Sequence, residues 1–190
     1  MQSLCAKCPH LVLPASVVHI GHLAFYQSTH LISVHAPGVK MVGVHAFGSC
    51  TSLVSVCLSP SLTTIGESAF KCCHSLTSIG LPASITTIET ETFMFCNALS
   101  TVTMPGVKEI GNRAFYQCTA LTTIGSPTSL ETIGECAFDY CESLVSIDLP
   151  NSLVTVKQFA FYGCGRLDIA TKERINTINP LALEQYLVEL

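Results

Sequence analysis

The stretch Leu76-Thr77-Ser78-Ile79-Gly80-Leu81-Pro82-Ala83-Ser84-Ile85-Thr86-Thr87-Ile88-Glu89-Thr90-Glu91-Thr92-Phe93-Met94-Phe95-Cys96 decides how this chain folds. Leu76, Ile79 and Leu81 are apolar, the residues between them are β-branched or small, and Pro82 stops the run before it could make a helix, so Leu76–Leu81 reads as a strand. Ile85-Thr86-Thr87-Ile88 reads as a second short extended piece. The chain must then turn back through the segment that ends Phe93-x-x-Cys96.

The same pattern recurs on both sides. Phenylalanines stand at Phe25, Phe47, Phe70, Phe93, Phe115, Phe138 and Phe161, spaced 22 or 23 residues apart. Three residues after each comes Cys50, Cys73, Cys96, Cys118, Cys141 or Cys164, with Ser28 in the first unit; Cys5 occupies the same column further upstream. Three further on stand Leu31, Leu53, Leu76, Leu99, Leu121, Leu144 and Leu167, followed by Val34, Val56, Ile79, Val102, Ile124 and Ile147. A fixed period of this length is the mark of stacked coils, each of which buries its apolar side only against its neighbours. Stability is therefore collective, because the apolar side chains of one coil cannot offset its ordering entropy alone.

The two short units place the deletion in a corner. Pro37-Gly38 and Pro105-Gly106 stand where longer units read Pro82-Ala83-Ser84 or Pro150-Asn151-Ser152. The expectation is that proline fixes φ while glycine reaches φ > 0, closing the turn with one residue fewer.

Leu-x-x-Ile-x-Leu-Pro-x-x-Ile-x-x-Ile-x-x-x-x-Phe-x-x-Cys, as at Leu76 to Cys96, resembles the BspA-type leucine-rich repeat, and the resemblance covers about residues 4 to 169. It implies a right-handed solenoid with a parallel β-sheet on its concave face and short turns or helical arcs on its convex face. It also implies a family that mostly binds other macromolecules and includes adhesins on bacterial and protist surfaces. Cys8 departs from the pattern at a Leu position, Ala36 and Ser126 at the third strand position, and Ala170 ends it. The expected organisation is a solenoid over residues 1–170, about seven repeats, and a C-terminal cap over 171–190. In that cap Asn179 and Pro180 have the residue types of an N-cap and a first helical position, and Leu183, Tyr186, Leu187 and Leu190 would share one helix face. The N-terminal end begins inside a repeat with no amphipathic segment before it, so the expectation is either a truncated array or a partner at that end, end-to-end self-association through the uncapped coil included.

Composition removes several classes of function. The 190 residues are 48% hydrophobic and 12% charged with a net charge of −4, which suits one packed domain rather than a disordered chain. Nine basic residues, scattered along the chain, supply no phosphate-binding stripe, so nucleic acid is not an expected partner. No apolar run approaches the roughly 20 residues of a membrane span. The first residues read neither as a secretion leader nor as a lipidation signal. The resemblance points to the cell surface, whereas the cysteines and the absent leader suit the cytoplasm, and sequence leaves both open.

The cysteines and histidines are the candidate chemistry. Eleven cysteines cannot all pair within one chain. Cysteine is a small apolar side chain suited to a crowded interior turn, so the Cys column reads as buried free thiols. Cys57, Cys72 and Cys136 fall outside that column and are expected to be accessible. Cys5, Cys8 and His10 offer three zinc ligands where a closed site needs four, so no metal and no cofactor is expected. Six of seven histidines lie in the first 45 residues but in different columns. His35 beside Cys57 is the pairing a thiol nucleophile and its base would need. Asp148, however, lies four coils from Cys57, roughly 19 Å at about 4.8 Å per coil, and an open sheet encloses no substrate. The expectation is therefore a protein-binding module, not an enzyme. Its candidate surface consists of the outward strand positions Ser33, His35, Ser55, Cys57, Ser78, Thr101, Thr103, Thr123, Ser146 and Asp148.

Overall fold

The computed structural model describes residues 8–125 and 127–184. Each coil contributes two short strands: β1 (His10–Val12) and β2 (His19–Ile20), β3 (Ser33–Ala36) and β4 (Met41–Val42), β5 (Ser55–Leu58) and β6 (Thr64–Ile65), β7 (Ser78–Gly80) and β8 (Thr87–Ile88), β9 (Thr101–Thr103) and β10 (Glu109–Ile110), β11 (Thr123–Gly125) and β12 (Thr132–Ile133), and β13 (Ser146–Ile147) and β14 (Thr155–Val156). All pairings are parallel and join equivalent positions one repeat apart, as in Ile79 with Val102 and Val102 with Ile124. The odd-numbered strands make the concave sheet and the even-numbered strands a lateral one.

Both sheets are interrupted at the same place. The concave sheet divides into β1-β3-β5 and β7-β9-β11-β13, and the lateral sheet into β2-β4-β6 and β8-β10-β12-β14. The third and fourth coils are still joined by the turn segments, where Phe70 N–H donates to Thr92 O at 2.9 Å and Cys72 N–H to Met94 O at 2.8 Å. Lys71 and Glu91 form an ion pair of 2.6 Å across the same boundary.

The core is a set of ladders. From Phe47 to Phe161 every phenylalanine of the repeat column is buried. The rings stack with centroids 5.1–5.5 Å apart and planes within 3–14° of parallel. Each column cysteine donates its thiol hydrogen to the Phe carbonyl one coil back: Cys73 to Phe47 O at 3.2 Å, Cys96 to Phe70 O at 3.1 Å and Cys141 to Phe115 O at 3.1 Å. The inward thiol therefore contributes a polar contact as well as apolar volume. Burial pushes the Cys50 thiol up to about 11 and Cys164 up to about 12, and holds Cys73, Cys96 and Cys141 well above the ordinary thiol value as well. Cys5 lies outside the described residues.

The convex arc around each phenylalanine has its own conformation. Residues two before and two after the ring are left-handed, as at Glu91 (φ 56°) and Phe95 (φ 63°), and at Arg113 (φ 54°) and Gln117 (φ 55°). Alternate N–H groups then point along the solenoid axis: Glu91, Phe93 and Phe95 donate to Asn112, Ala114 and Tyr116 of the next coil at 3.0, 2.8 and 2.9 Å. The intervening N–H groups close tight turns within the coil, as Thr92 does on Glu89 O.

Two expectations change. Gly38 and Gly106 do not take φ > 0; a Cβ on them would stand 2.0 Å from Ala15 O and 1.9 Å from Ala83 O. Close approach to the preceding coil, not backbone handedness, requires glycine in the Pro-Gly corner. The C-terminal helix is α1 (Ile169–Ile178), capped by Asp168, whose carboxylate accepts from Thr171 N–H at 2.7 Å. Asn179 and Pro180 open only a 3-10 turn, Pro180–Ala182, and Tyr186, Leu187 and Leu190 lie outside the described residues. Helix α1 replaces the strand pair of the next coil. Asn179 ties the turn to the solenoid by donating Nδ2–H to Val156 O at 2.8 Å.

Candidate functional site

The concave sheet is built by the alternation of its strands. Val34, Ile79, Val102, Ile124 and Ile147 point into the core, and this turns the residues on either side outward. His35, Ser55, Cys57, Ser78, Thr101, Thr103, Thr123, Ser146 and Asp148 are exposed, and Ser33 is half-buried.

Register divides these ten residues into two groups. Ser33 faces Ser55 and His35 faces Cys57 in the first three-stranded sheet. Ser78, Thr101, Thr123 and Ser146 line up in the second, with Thr103 between Gly80 and Gly125, while Asp148 follows the end of β13. The sheet break separates Ser55 from Ser78, so the candidate residues do not make one uninterrupted row.

Hydroxyls on this face have two roles. Ser100 Oγ donates to Thr77 O at 3.0 Å and Thr122 Oγ1 to Ser100 O at 3.1 Å, which fastens neighbouring coils. Sequence reasoning did not single out Thr77, Ser100 or Thr122; the signal available was a hydroxyl residue two before the core Ile or Val in the three middle coils, between Ile32 and Val54 on one side and Val145 on the other. By contrast the hydroxyls of Ser78, Thr101, Thr103 and Thr123 bond no other described residue. Their hydroxyls are open to a ligand. Ser33 Oγ is held by His10 Nδ1 at 2.8 Å.

From Ile32 to Gly125 the outward strand columns contain no Lys, Arg, Asp or Glu. Ile32 and Val54 are both 39% exposed, and Val145 continues their column. The surface is thus neutral, with short hydroxylated side chains beside β-branched apolar ones. His35 and Cys57 are neighbours in this sheet on open surface. Two cavities lie off this sheet: one of about 700 Å³ lined by Ile20, Leu23, Phe25 and Tyr26 among others, and one of about 160 Å³ over the lateral sheet, between Thr87 and Lys157.

The remaining candidates separate by burial. Cys8 and Cys57 are exposed and Cys72 is partly so. Cys136 is buried, contrary to the expectation; at its position two before the ring the small Cys136 and Ser68 are covered, whereas the longer Leu23 and Arg113 are exposed. It hydrogen-bonds the carboxyl of Asp139, itself buried, whose Oδ1 has no hydrogen-bond partner among the described residues. Burial pushes Asp139 up to about 6, opposed by the hydrogen bonds from Cys136 and from the Tyr140 N–H and by the charge of Arg113. Among the described residues no three His, Cys, Asp or Glu side chains are grouped to hold a metal ion, and no helix is long and apolar enough to cross a membrane.

A stacked parallel-strand solenoid with an open, uncharged sheet along one side defines a leucine-rich-repeat protein. The chain belongs to the BspA type leucine-rich-repeat family: the model of that repeat region, six copies long, matches residues 3–122 and 108–187. A leucine rich repeat protein from T. pallidum matches at a TM-score of 0.86 and 32% identity, over 91% of this chain and 84% of its own. One from Bacteroides ovatus matches at 0.71 and 27% identity, over 82% of this chain and 49% of its own. Among curated proteins the search returns no match. The family suggests a module for protein interaction or adhesion.

Proposed function

We propose that this protein is a non-catalytic binding module that receives a protein partner on its concave sheet, in surface recognition or adhesion. The observation that carries this reading is the row of unbonded hydroxyls at Ser78, Thr101, Thr103 and Thr123, on a face without formal charge across five consecutive strands. Such a face offers shape, exposed β-branched groups and many weak polar contacts, and its regular spacing suits an extended or flat partner. Binding there should depend little on salt, because no ion pairs are available at its centre.

The test introduces two long charged side chains at the middle of the face. Thr101→Lys with Thr123→Lys leaves every core residue in place. Partners should be captured from the native surroundings by the parent chain and identified by mass spectrometry, and then measured singly. Loss of binding in the double variant, with unchanged circular dichroism and melting, supports the reading; undiminished binding refutes it. An intracellular scaffold is the second reading, favoured by exposed Cys8 and Cys57, which suit a reducing compartment. The location of the captured partner separates the two.

A further inference from the structure

We infer that the boundary between the third and fourth coils is a hinge: the convex arcs are the pivot, and the strands of the two coils open and close against each other, so that the concave face is two plates set at an adjustable angle. The inference does not depend on what occupies that face.

The lateral side of this boundary lacks the bonds that other boundaries have. Lys108 and Glu109 N–H both donate to Thr86 O, at 2.8 and 3.2 Å, and Gly111 N–H donates to Ile88 O at 2.7 Å. One coil further on, Glu131 and Thr132 donate to Lys108 O and Gly134 to Ile110 O, at 2.8, 3.1 and 2.7 Å. Thr86, Thr87 and Glu89 hold the same repeat positions in the fourth coil, and none of their N–H groups reaches Thr63 O or Ile65 O of the third. On the concave side, β5 and β7 are unpaired, and what spans them is Thr77 N–H on Val54 O at 3.3 Å. At the corner Ser84 Oγ donates to Leu62 O.

The core is open at the same place. The inward residues of β5, Val56 and Leu58, are only half-buried, whereas their counterparts Val34, Ala36, Ile79 and Leu81 are at most 4% exposed. Phe70 and Phe93 stand 5.5 Å apart, the widest step of the ring ladder. The corner sequence differs too. In later long coils a proline opens the corner turn, with Ile85, Leu130 and Leu153 N–H closing on Pro82, Pro127 and Pro150 O. In the third coil Leu62 closes on Ser59 O, and Pro60 follows one place later. Proline restricts the backbone of the residue before it, here Ser59, the first residue after β5.

The convex side is the strongly joined one. Ser68, Phe70 and Cys72 N–H donate to Thr90, Thr92 and Met94 O at 3.0, 2.9 and 2.8 Å. Glu91 Oε2 accepts from Lys71 Nζ at 2.6 Å and from Ser68 Oγ at 3.4 Å, and His74 Nδ1 lies 2.9 Å from Asn97 Oδ1. Close packing resists displacement, and here it is complete on one side of the boundary and incomplete on the other. Rotation about the arcs moves Ser55 and Cys57 relative to Ser78, while register within each plate is kept by its own strand pairing.

The experiment uses the full chain. Amide residual dipolar couplings in one alignment medium are fitted for residues 33–58 and for residues 78–125. The expected result is that the two blocks need alignment tensors of different magnitude. Hydrogen exchange at Thr86, Thr87 and Glu89 should be at least about 100-fold faster than at Lys108, Glu109 and Gly111, with Phe70 and Cys72 protected. Gly80→Cys puts a thiol at the repeat position of Cys57 in the neighbouring strand, where the added Cβ meets only Thr103 Oγ1 at 3.2 Å. Once mass spectrometry verifies the bridge to Cys57, the oxidised variant should fit a single tensor, and reduction should restore two. A single tensor for both blocks of the parent chain overturns the inference. So does exchange at Phe70 and Cys72 as fast as at Thr86, which removes the pivot, or two tensors persisting in the bridged variant, which places the motion elsewhere.

Discussion

The thiol of Cys96 donates to the carbonyl oxygen of Phe70 at 3.1 Å, across the boundary at which both β-sheets are interrupted. Where strand pairing lapses, the side-chain ladders and the arc hydrogen bonds hold the third and fourth coils together. Cys96→Ala removes both the thiol volume and that contact, and should lower stability by about 1–2 kcal/mol in urea unfolding. The lost acceptor contact is only part of this, because Phe70 O also receives Cys73 N–H.

Phe93 lies between two stacked partners, whereas among the described residues Phe25 stacks on Phe47 alone. Phe93→Ala should cost about 3–5 kcal/mol, the usual range for a buried aromatic, and Phe25→Ala clearly less. Equal losses in denaturant melts would contradict the ladder as the main packing unit.

Gly106 and Gly21 make a matched pair for backbone contact. A Cβ at Gly106 would collide with Ala83 O, while at Gly21 it would meet nothing within 4 Å. Gly106→Ala should destabilise by more than about 2 kcal/mol and Gly21→Ala by less than about 0.5 kcal/mol, measured side by side by thermal unfolding.

Asp139 gives the protein a pH dependence of known sign. Its folded value of about 6 lies above the ordinary 3.8, so the folded state holds the proton more tightly. The group's favourable contribution is complete below the unfolded value and is lost as pH rises through about 6. Asp139→Asn should therefore be more stable than the parent at pH 7, by about 1–2 kcal/mol after allowance for solvent screening, and should lose that advantage near pH 4. Paired unfolding curves at the two pH values check it.

Alkylation should sort the thiols by burial. Cys8 and Cys57 are exposed, Cys72 is partly covered, and Cys50, Cys73, Cys96, Cys118, Cys136, Cys141 and Cys164 are buried. Iodoacetamide at neutral pH should modify Cys8 and Cys57 first, with the buried set reacting only after denaturant is added; mass spectrometry of the digests reads the order. Rapid labelling of Cys136 would mean that the arc around Phe138 opens in solution.

Much of the fold was legible because a period of 22 or 23 residues constrains every coil at once. The Phe and Cys columns, the inward strand residues and the outward ones follow from register alone. Helix α1 was not legible: only Thr171 and Ile175 are buried along it, too few for an apolar face. Its readable trace was Asp168, an N-capping residue type three positions before Thr171. For the candidate surface, sequence named the outward residues but could not separate hydroxyls that bond the neighbouring coil, such as Ser100, from open ones such as Thr101.

The sequence by itself determined that the coils stack and which side chains face inward, since a repeated apolar pattern has no other way to leave water. Tertiary structure alone decided where the sheets break, which carbonyl each buried thiol meets, that Cys136 is covered, and that the N–H groups of Phe159 and Phe161 are taken by the 3-10 turn. Those properties belong to contacts between residues about one repeat apart, whose distances and directions depend on how adjacent coils approach, and no local pattern specifies that approach.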